Sequence, residues 1–253
     1  MENNIIIEVR NLKIQFGENI ILQDVNFTVR KGEIFAIIGG SGSGKTVLLK
    51  HLIGLLESYN GNIYIESKDL KEIKKESYDI FLNKIGVAFQ YGALLGSLTL
   101  AENIMLPLME YKTDDEAIAR RIAAWKLSLV DLKGFDNYYP SDISGGMKKR
   151  ASIARAIALN PKILFLDEPT SGLDPITSTE IDNLIKRLNK NLGTTIILVT
   201  HDIESVFSTT NSLILLDGSK KTIIAKGHPF DVFNNNDRDV QRFFERVKKS
   251  TIS

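Results

Sequence analysis

Apolar residues in this chain fall into short runs separated by charged and small residues, and the form of each run predicts an element. Ile34 to Ile38, Ile163 to Leu166, Thr195 to Val199 and Leu213 to Leu216 are almost continuously apolar, as strands buried on both faces of a parallel sheet are. Ile85 to Phe89 and Thr222 to Ala225 read as further strands. Ile5 to Val9 and Ile20 to Val29 alternate more, which predicts antiparallel strands with one wetter face, and Asp217-Gly218 reads as a late hairpin turn. Helices at Lys45 to Leu56 and Thr177 to Asn191 are expected to cover the sheet. From Tyr91 to about Pro161 the pattern turns helical, with Ile118, Ile122, Trp125 and Leu129 on one face of Asp114 to Leu129. Strands resume at Ile163, so this stretch reads as a helical insertion between two strands of one sheet. After the polar break Asn234 to Asp237, Val240 to Val247 is expected to form a short terminal helix. The whole predicts an α/β fold, a mixed core sheet with an antiparallel β layer and an inserted helical subdomain.

Composition narrows the function without deciding it. The 253 residues are 43% apolar, enough for a sizeable core, and the formal net charge of +1 gives no global footprint for nucleic acid. Cysteine is absent, which excludes disulfides and thiolate metal sites. The start of the chain lacks the charged region and long apolar stretch of a signal peptide. No window approaches the run of about twenty apolar residues that spans a bilayer. A role in transport therefore requires a separate membrane partner.

The candidate chemistry sits where predicted strands end. Gly39-Gly40-Ser41-Gly42-Ser43-Gly44-Lys45-Thr46 fits G-x-x-x-x-G-K-[ST] directly behind the run Ile34 to Ile38. Glycines let the backbone aim several N–H groups at one phosphate, and the following helix adds the positive end of its dipole. Lys45 would reach the β- and γ-phosphates and Thr46 would ligate Mg²⁺, so the segment predicts a nucleoside triphosphate site. Ile163 to Leu166 runs into Asp167 and Glu168. There Asp167 could hold Mg²⁺ through its water shell while Glu168 orients or deprotonates the attacking water. Ser144-Gly145-Gly146-Met147 opens a helix with Ser144 as N-cap, a second phosphate-binding surface that one nucleotide does not need unless two chains share it. Alone, it would read as an ordinary capped helix with a basic, solvated first turn at Lys148-Lys149-Arg150. His201 follows the strand Thr195 to Val199 and could steady the γ-phosphate or the water; Gln90 could enter the Mg²⁺ shell; Phe16 could stack on adenine.

In this order the motifs resemble the nucleotide-binding subunit of ATP-binding cassette transporters, over nearly the whole chain. Gly39 to Thr46 resembles the Walker A motif of this P-loop NTPase family, with its RecA-like core, and Ile163 to Asp167 resembles Walker B, with Glu168 in the place of the general base. Gln90 matches the Q-loop glutamine, Ile143 to Met147 the signature segment, Ser171-Gly172-Leu173-Asp174 the D-loop and His201 the switch histidine. The resemblance implies one cassette domain over residues 1–253. Within it, 1–90 and 161–230 form the nucleotide-binding core, 91–160 the helical subdomain and 231–253 a C-terminal helix. It also implies ATP and Mg²⁺ as cofactors, and a homodimer that sandwiches two ATPs between the phosphate loop of one chain and the signature helix of the other.

Gly40 stands where proline is frequent, Val47 replaces a hydroxyl, and Met147 replaces the usual glutamine. None of these removes a catalytic group, so active ATP hydrolysis is expected. Phe89 to Leu95 and Ser144 to Arg150 are similar to the Mla subgroup, whose ATPases serve permeases paired with MCE-domain proteins in phospholipid transport. That implies two permease subunits, an MCE partner and a peripheral place on the cytoplasmic face of a bacterial inner membrane. A cassette for another cargo, such as an amino acid, peptide or lipoprotein, remains the alternative. A cassette acting on nucleic acid or the ribosome is remoter, since the long coiled coil or second cassette of those proteins is missing.

Overall fold

The computed structural model describes residues 4–252, with side chains described as far as Arg246. The chain forms two units, one running to Tyr78 and resuming at Ile197, the other Asp79–Ile196.

In the first unit, β1 (Ile5–Phe16) and β2 (Asn19–Arg30) pair antiparallel, with Ile7 opposite Val29 and Val9 opposite Phe27. β1 runs well past the expected Val9. Asn11, at φ 48, sits where the register shifts between Val9 and Leu12, and this bulge interrupts the alternation before Leu12 and Ile14 return to the core. β3 (Ile34–Gly39) has all six residues buried and feeds α1 (Lys45–Leu52). The helix stops short of Leu56 because Gly54 takes the left-handed conformation at φ 74, its N–H donating to His51 O at 3.1 Å. β4 (Tyr59–Ile65), β5 (Lys68–Asp69) and α2 (Leu70–Glu76) follow, and the sheet order is β2-β1-β4-β5. The apolar pattern missed β4, since Asn60-Gly61-Asn62 breaks it. A Cβ on Gly61 would lie 2.3 Å from the Asn11 carbonyl oxygen, so the glycine is what lets β4 approach the β1 bulge.

The second unit contains most of α3 (Tyr78–Leu82), then β6 (Ile85–Ala88) and the helices α4 (Leu100–Tyr111), α5 (Glu116–Leu129) and α6 (Gly145–Ala156), with a 3₁₀ turn at Pro140–Asp142. β7 (Ile163–Asp167) returns parallel to β6, so the helical stretch is inserted between adjacent strands. α5 buries Ala119, Ala123, Lys126 and Leu127, whereas Ile118 and Trp125 stay exposed and Ile122 and Leu129 are half-buried; the expected apolar face is not its core face. Lys126 donates to Asn160 Oδ1 at 2.6 Å, and burial, reinforced by Lys112, pushes its pKa down to about 8. α7 (Pro175–Leu192) leads to β8 (Thr195–Val199), whose five residues are all buried and which carries the chain back into the first unit.

There, α8 (Ile203–Thr209), β9 (Ser212–Asp217), β10 (Thr222–Gly227), α9 (Pro229–Phe233) and α10 (Arg238–Ile252) complete the chain. β9 is parallel to β3 and antiparallel to β10, giving the mixed order β10-β9-β3. The hairpin turn spans Gly218 to Lys221, with Asp217 Oδ1 accepting from Ser219 N at 2.8 Å and Lys220 N at 2.7 Å. α10 is longer than the expected Val240 to Val247, and its Val240 and Phe244 pack into a core with Ile38, Leu213 and Leu215. Among the described residues no helix is long and apolar enough to cross a membrane.

Candidate active site

In the first unit the phosphate loop joins a wholly buried strand to a helix with no side-chain cap. Gly44 is the N-cap of α1 at φ 94, and Gly42 lies at φ 75, conformations an L side chain adopts only with strain. Gly39 has no room for a Cβ, which would meet Leu216 O and Ser43 Oγ at 2.5 Å. Around Gly40 and Gly42, by contrast, a Cβ would meet nothing within 4 Å, so the loop is open on its outer side. A cavity of about 690 Å³ runs along Gly40 to Ser43. Lys45 Nζ folds back onto Gly39 O at 2.8 Å and Gly40 O at 3.0 Å, which holds its charge over the loop. Thr46 is exposed at the first turn. Phe16 ends β1, 42% exposed as a residue, with its ring tilted against the buried His51 ring at 6.3 Å. His201 is exposed just after β8, beside Thr200, whose Oγ1 accepts from Asp202 N at 3.0 Å.

In the second unit Asp167 ends β7 and Glu168 follows it: Asp167 is 4% and Glu168 8% exposed. Glu168 adopts φ 51, an uncommon conformation for a non-glycine residue, and its carbonyl accepts from Ser171 N at 3.2 Å. Gln90 lies just beyond β6 and donates from Nε2 to Ser171 Oγ at 3.4 Å. Gly172, at φ 78, turns the chain into α7, whose N-cap Asp174 accepts from Ile176 N and Thr177 N, both at 3.0 Å. Hydrogen bonding from the Thr177 hydroxyl, followed by its backbone N–H, holds the Asp174 carboxyl below its usual pKa. Leu173 lies against Gly145, whose Cβ would meet Leu173 Cδ2 at 3.8 Å. Ser144 caps α6, accepting from Met147 N at 3.3 Å, and Ser144 and Gly145 are exposed.

Of the basic turn Lys148-Lys149-Arg150, which taken alone would read as solvated, only Lys148 is exposed. Arg150 is buried and joins α6 to Asp131 at 2.6 Å and to Glu180 of α7 at 2.8 Å. Lys149, half-buried, donates to Gln90 O at 2.5 Å and Glu168 O at 3.0 Å. Burial lowers its pKa, opposed by Glu168 and then Asp167. Neither residue carries a sequence signal separating it from a surface charge; only their spacing along α6, against the faces that α6 buries, could have suggested it.

A phosphate loop between a buried strand and a helix, with paired carboxylates ending a second buried strand, defines a P-loop NTPase. The family model described as ABC transporter matches residues 22–171. The chain belongs to that family. It is 41% identical over 94% of its length to a probable ribonucleotide transport ATP-binding protein, mkl, of Mycobacterium tuberculosis, of which it spans 66%. It is 38% identical to the intermembrane phospholipid transport system ATP-binding protein MlaF of Haemophilus influenzae, over 96% of this chain and 91% of that one. A methionine import ATP-binding protein, MetN of Francisella tularensis, is also 38% identical, over 94% of this chain and 68% of its own. Among solved structures, the ATP-binding cassette MJ0796, a dimer in a post-hydrolysis state bound to ADP and Pi, has a TM-score of 0.78 at 32% identity, covering 88% of this chain and 98% of that one.

Proposed function

We propose that this chain is the ATPase of a membrane transporter that moves phospholipid, working as a head-to-tail dimer beneath two permease subunits on the cytoplasmic face of a bacterial inner membrane, with an MCE-domain partner. Similarity to MlaF over nearly the full length of both proteins is the observation that carries the cargo. The names of the mkl and MetN relatives, which speak of ribonucleotide and methionine, support the alternative of a different cargo.

The residue roles are part of the same reading. Backbone N–H groups from Gly39 to Gly44 and the Lys45 ammonium hold the β- and γ-phosphates, and Phe16 stacks on adenine. The donor set suits Mg²⁺ rather than a softer ion: the Thr46 hydroxyl, the Asp167 carboxylate and the Gln90 amide are hard oxygen ligands. When bound, Mg²⁺ would neutralise phosphate charge. Glu168 accepts the proton of the attacking water, and His201 steadies the γ-phosphate end. Ser144 and the N–H groups of Gly145 and Gly146 face the partner's ATP, with Met147, whose own N–H is taken by the Ser144 cap, beside them, and Ser171 to Asp174 line the dimer contact.

Purification of the tagged chain from membranes of its own host, in mild detergent, tests the cargo. Recovery of a permease with an MCE-domain protein and bound phospholipid is expected. A permease that stimulates ATP turnover only with a methionine- or nucleotide-binding protein would overturn the phospholipid reading and leave the ATPase intact.

A further inference from the structure

We infer that Lys149 couples the signature helix to the hydrolytic groups of its own chain, and so links the two ATP sites of the dimer. The inference rests on the roles proposed above for Ser144, Gln90 and Glu168.

α6 starts at the Ser144 cap, the end proposed to face the partner's nucleotide. Five residues on, a single ammonium bridges the Gln90 carbonyl at 2.5 Å and the Glu168 carbonyl at 3.0 Å. Those carbonyls belong to two different segments, one following β6 and one following β7. The Glu168 peptide is the one that needs holding, since its residue sits at φ 51. A charge-assisted bond to that carbonyl favours the backbone conformation that sets the direction of the Glu168 side chain. A shift of α6 on engaging the partner's γ-phosphate therefore moves the group that positions Glu168 and the Gln90 backbone. The coupling is reciprocal: a nucleotide that pulls on Gln90 or Glu168 in one site pulls on the helix that closes the other. Lys149 is a positioning residue here, since it acts through Glu168 and Gln90.

The test is steady-state ATP hydrolysis by the dimer, with ATP binding measured separately. Lys149→Met, which keeps the length of the side chain and loses the donors, should lower kcat about ten- to hundredfold with KM within about twofold. The Hill coefficient for ATP should fall from above one to one, and Lys149→Arg should recover most of both. Unchanged turnover in Lys149→Met, or a loss of ATP binding in proportion to the loss of rate, would overturn the inference. A parent Hill coefficient of one would overturn the link between sites. Glu168→Gln in the same assay separates the two readings: near-normal turnover there removes Glu168 as base, whatever Lys149 does.

Discussion

Glu168 combines the features of a group held for chemistry: it is 8% exposed, directly follows a buried strand and sits at φ 51. Glu168→Gln preserves size and one acceptor oxygen but cannot accept the water's proton. Its kcat should fall by at least about a hundredfold while ATP affinity stays within about twofold, read by phosphate release and equilibrium binding. His51 makes a different prediction. Its Nδ1 lies 2.8 Å from Val47 O, and since a carbonyl only accepts, this nitrogen carries the proton. Burial holds its pKa below the usual histidine value, outweighing the backbone contacts that raise it. The folded chain thus favours the neutral ring, and the unfolded chain binds more protons at mildly acidic pH. Its stabilising contribution is complete above the unfolded pKa of about 6.5 and is lost as pH falls through that value towards the lower folded one. His51→Phe keeps a ring beside Phe16 and removes the titration. The parent should lose more of its Tm than His51→Phe between pH 7 and pH 5, by about 2–4 °C per kcal/mol of linkage. Parallel curves would show that His51 does not contribute.

At the scale of elements, the packing of α6 on α7 decides how firmly the signature segment is held. A Cβ on Gly146 would lie 2.6 Å from Thr177 Cγ2. That methyl cannot swing aside, because Thr is stiff at χ1 and its hydroxyl donates to Asp174 Oδ2 at 2.6 Å. Gly146→Ala should cost about 1–3 kcal/mol in denaturant unfolding by overpacking, and adding Thr177→Ser, which deletes the methyl and keeps the hydroxyl, should restore most of it. No rescue would place the strain elsewhere. This contact also marks where sequence reading runs out. Strands β3, β7 and β8 were legible because each is an unbroken apolar run, and the residues that follow them are the candidate site. Gly146 was legible as a helix-opening glycine but not as a packing one, because Thr177 lies 31 positions away. Lys149 and Arg150 looked like solvent charges for the same reason: their partners Gln90, Glu168, Asp131 and Glu180 are remote in the chain. β4 was lost to the Asn60-Gly61-Asn62 interruption that its neighbour's bulge requires.

For the whole molecule, the candidate residues divide between two units: Phe16, Gly39 to Thr46 and His201 in one, and Gln90, Ser144 to Met147, Asp167, Glu168 and Ser171 to Asp174 in the other. A net charge of +1 offers no long-range field to assemble two copies, so the proposed dimer would be held by shared nucleotide contacts and local packing. That makes dimerisation depend on ATP through linkage: a ligand bound by both chains at once stabilises the dimer by its differential affinity for it. With hydrolysis blocked by Glu168→Gln, ATP should convert the chain from monomer to dimer in size-exclusion light scattering. Ser144→Arg, added to that variant, places a long cationic side chain at the exposed cap of α6, where the shared-site model puts the partner's γ-phosphate. The double variant should bind ATP with about the same affinity yet remain monomeric. If it dimerises with ATP as readily as Glu168→Gln alone, the α6 cap lies outside the shared site, and the second phosphate-binding surface must be assigned to another part of the chain.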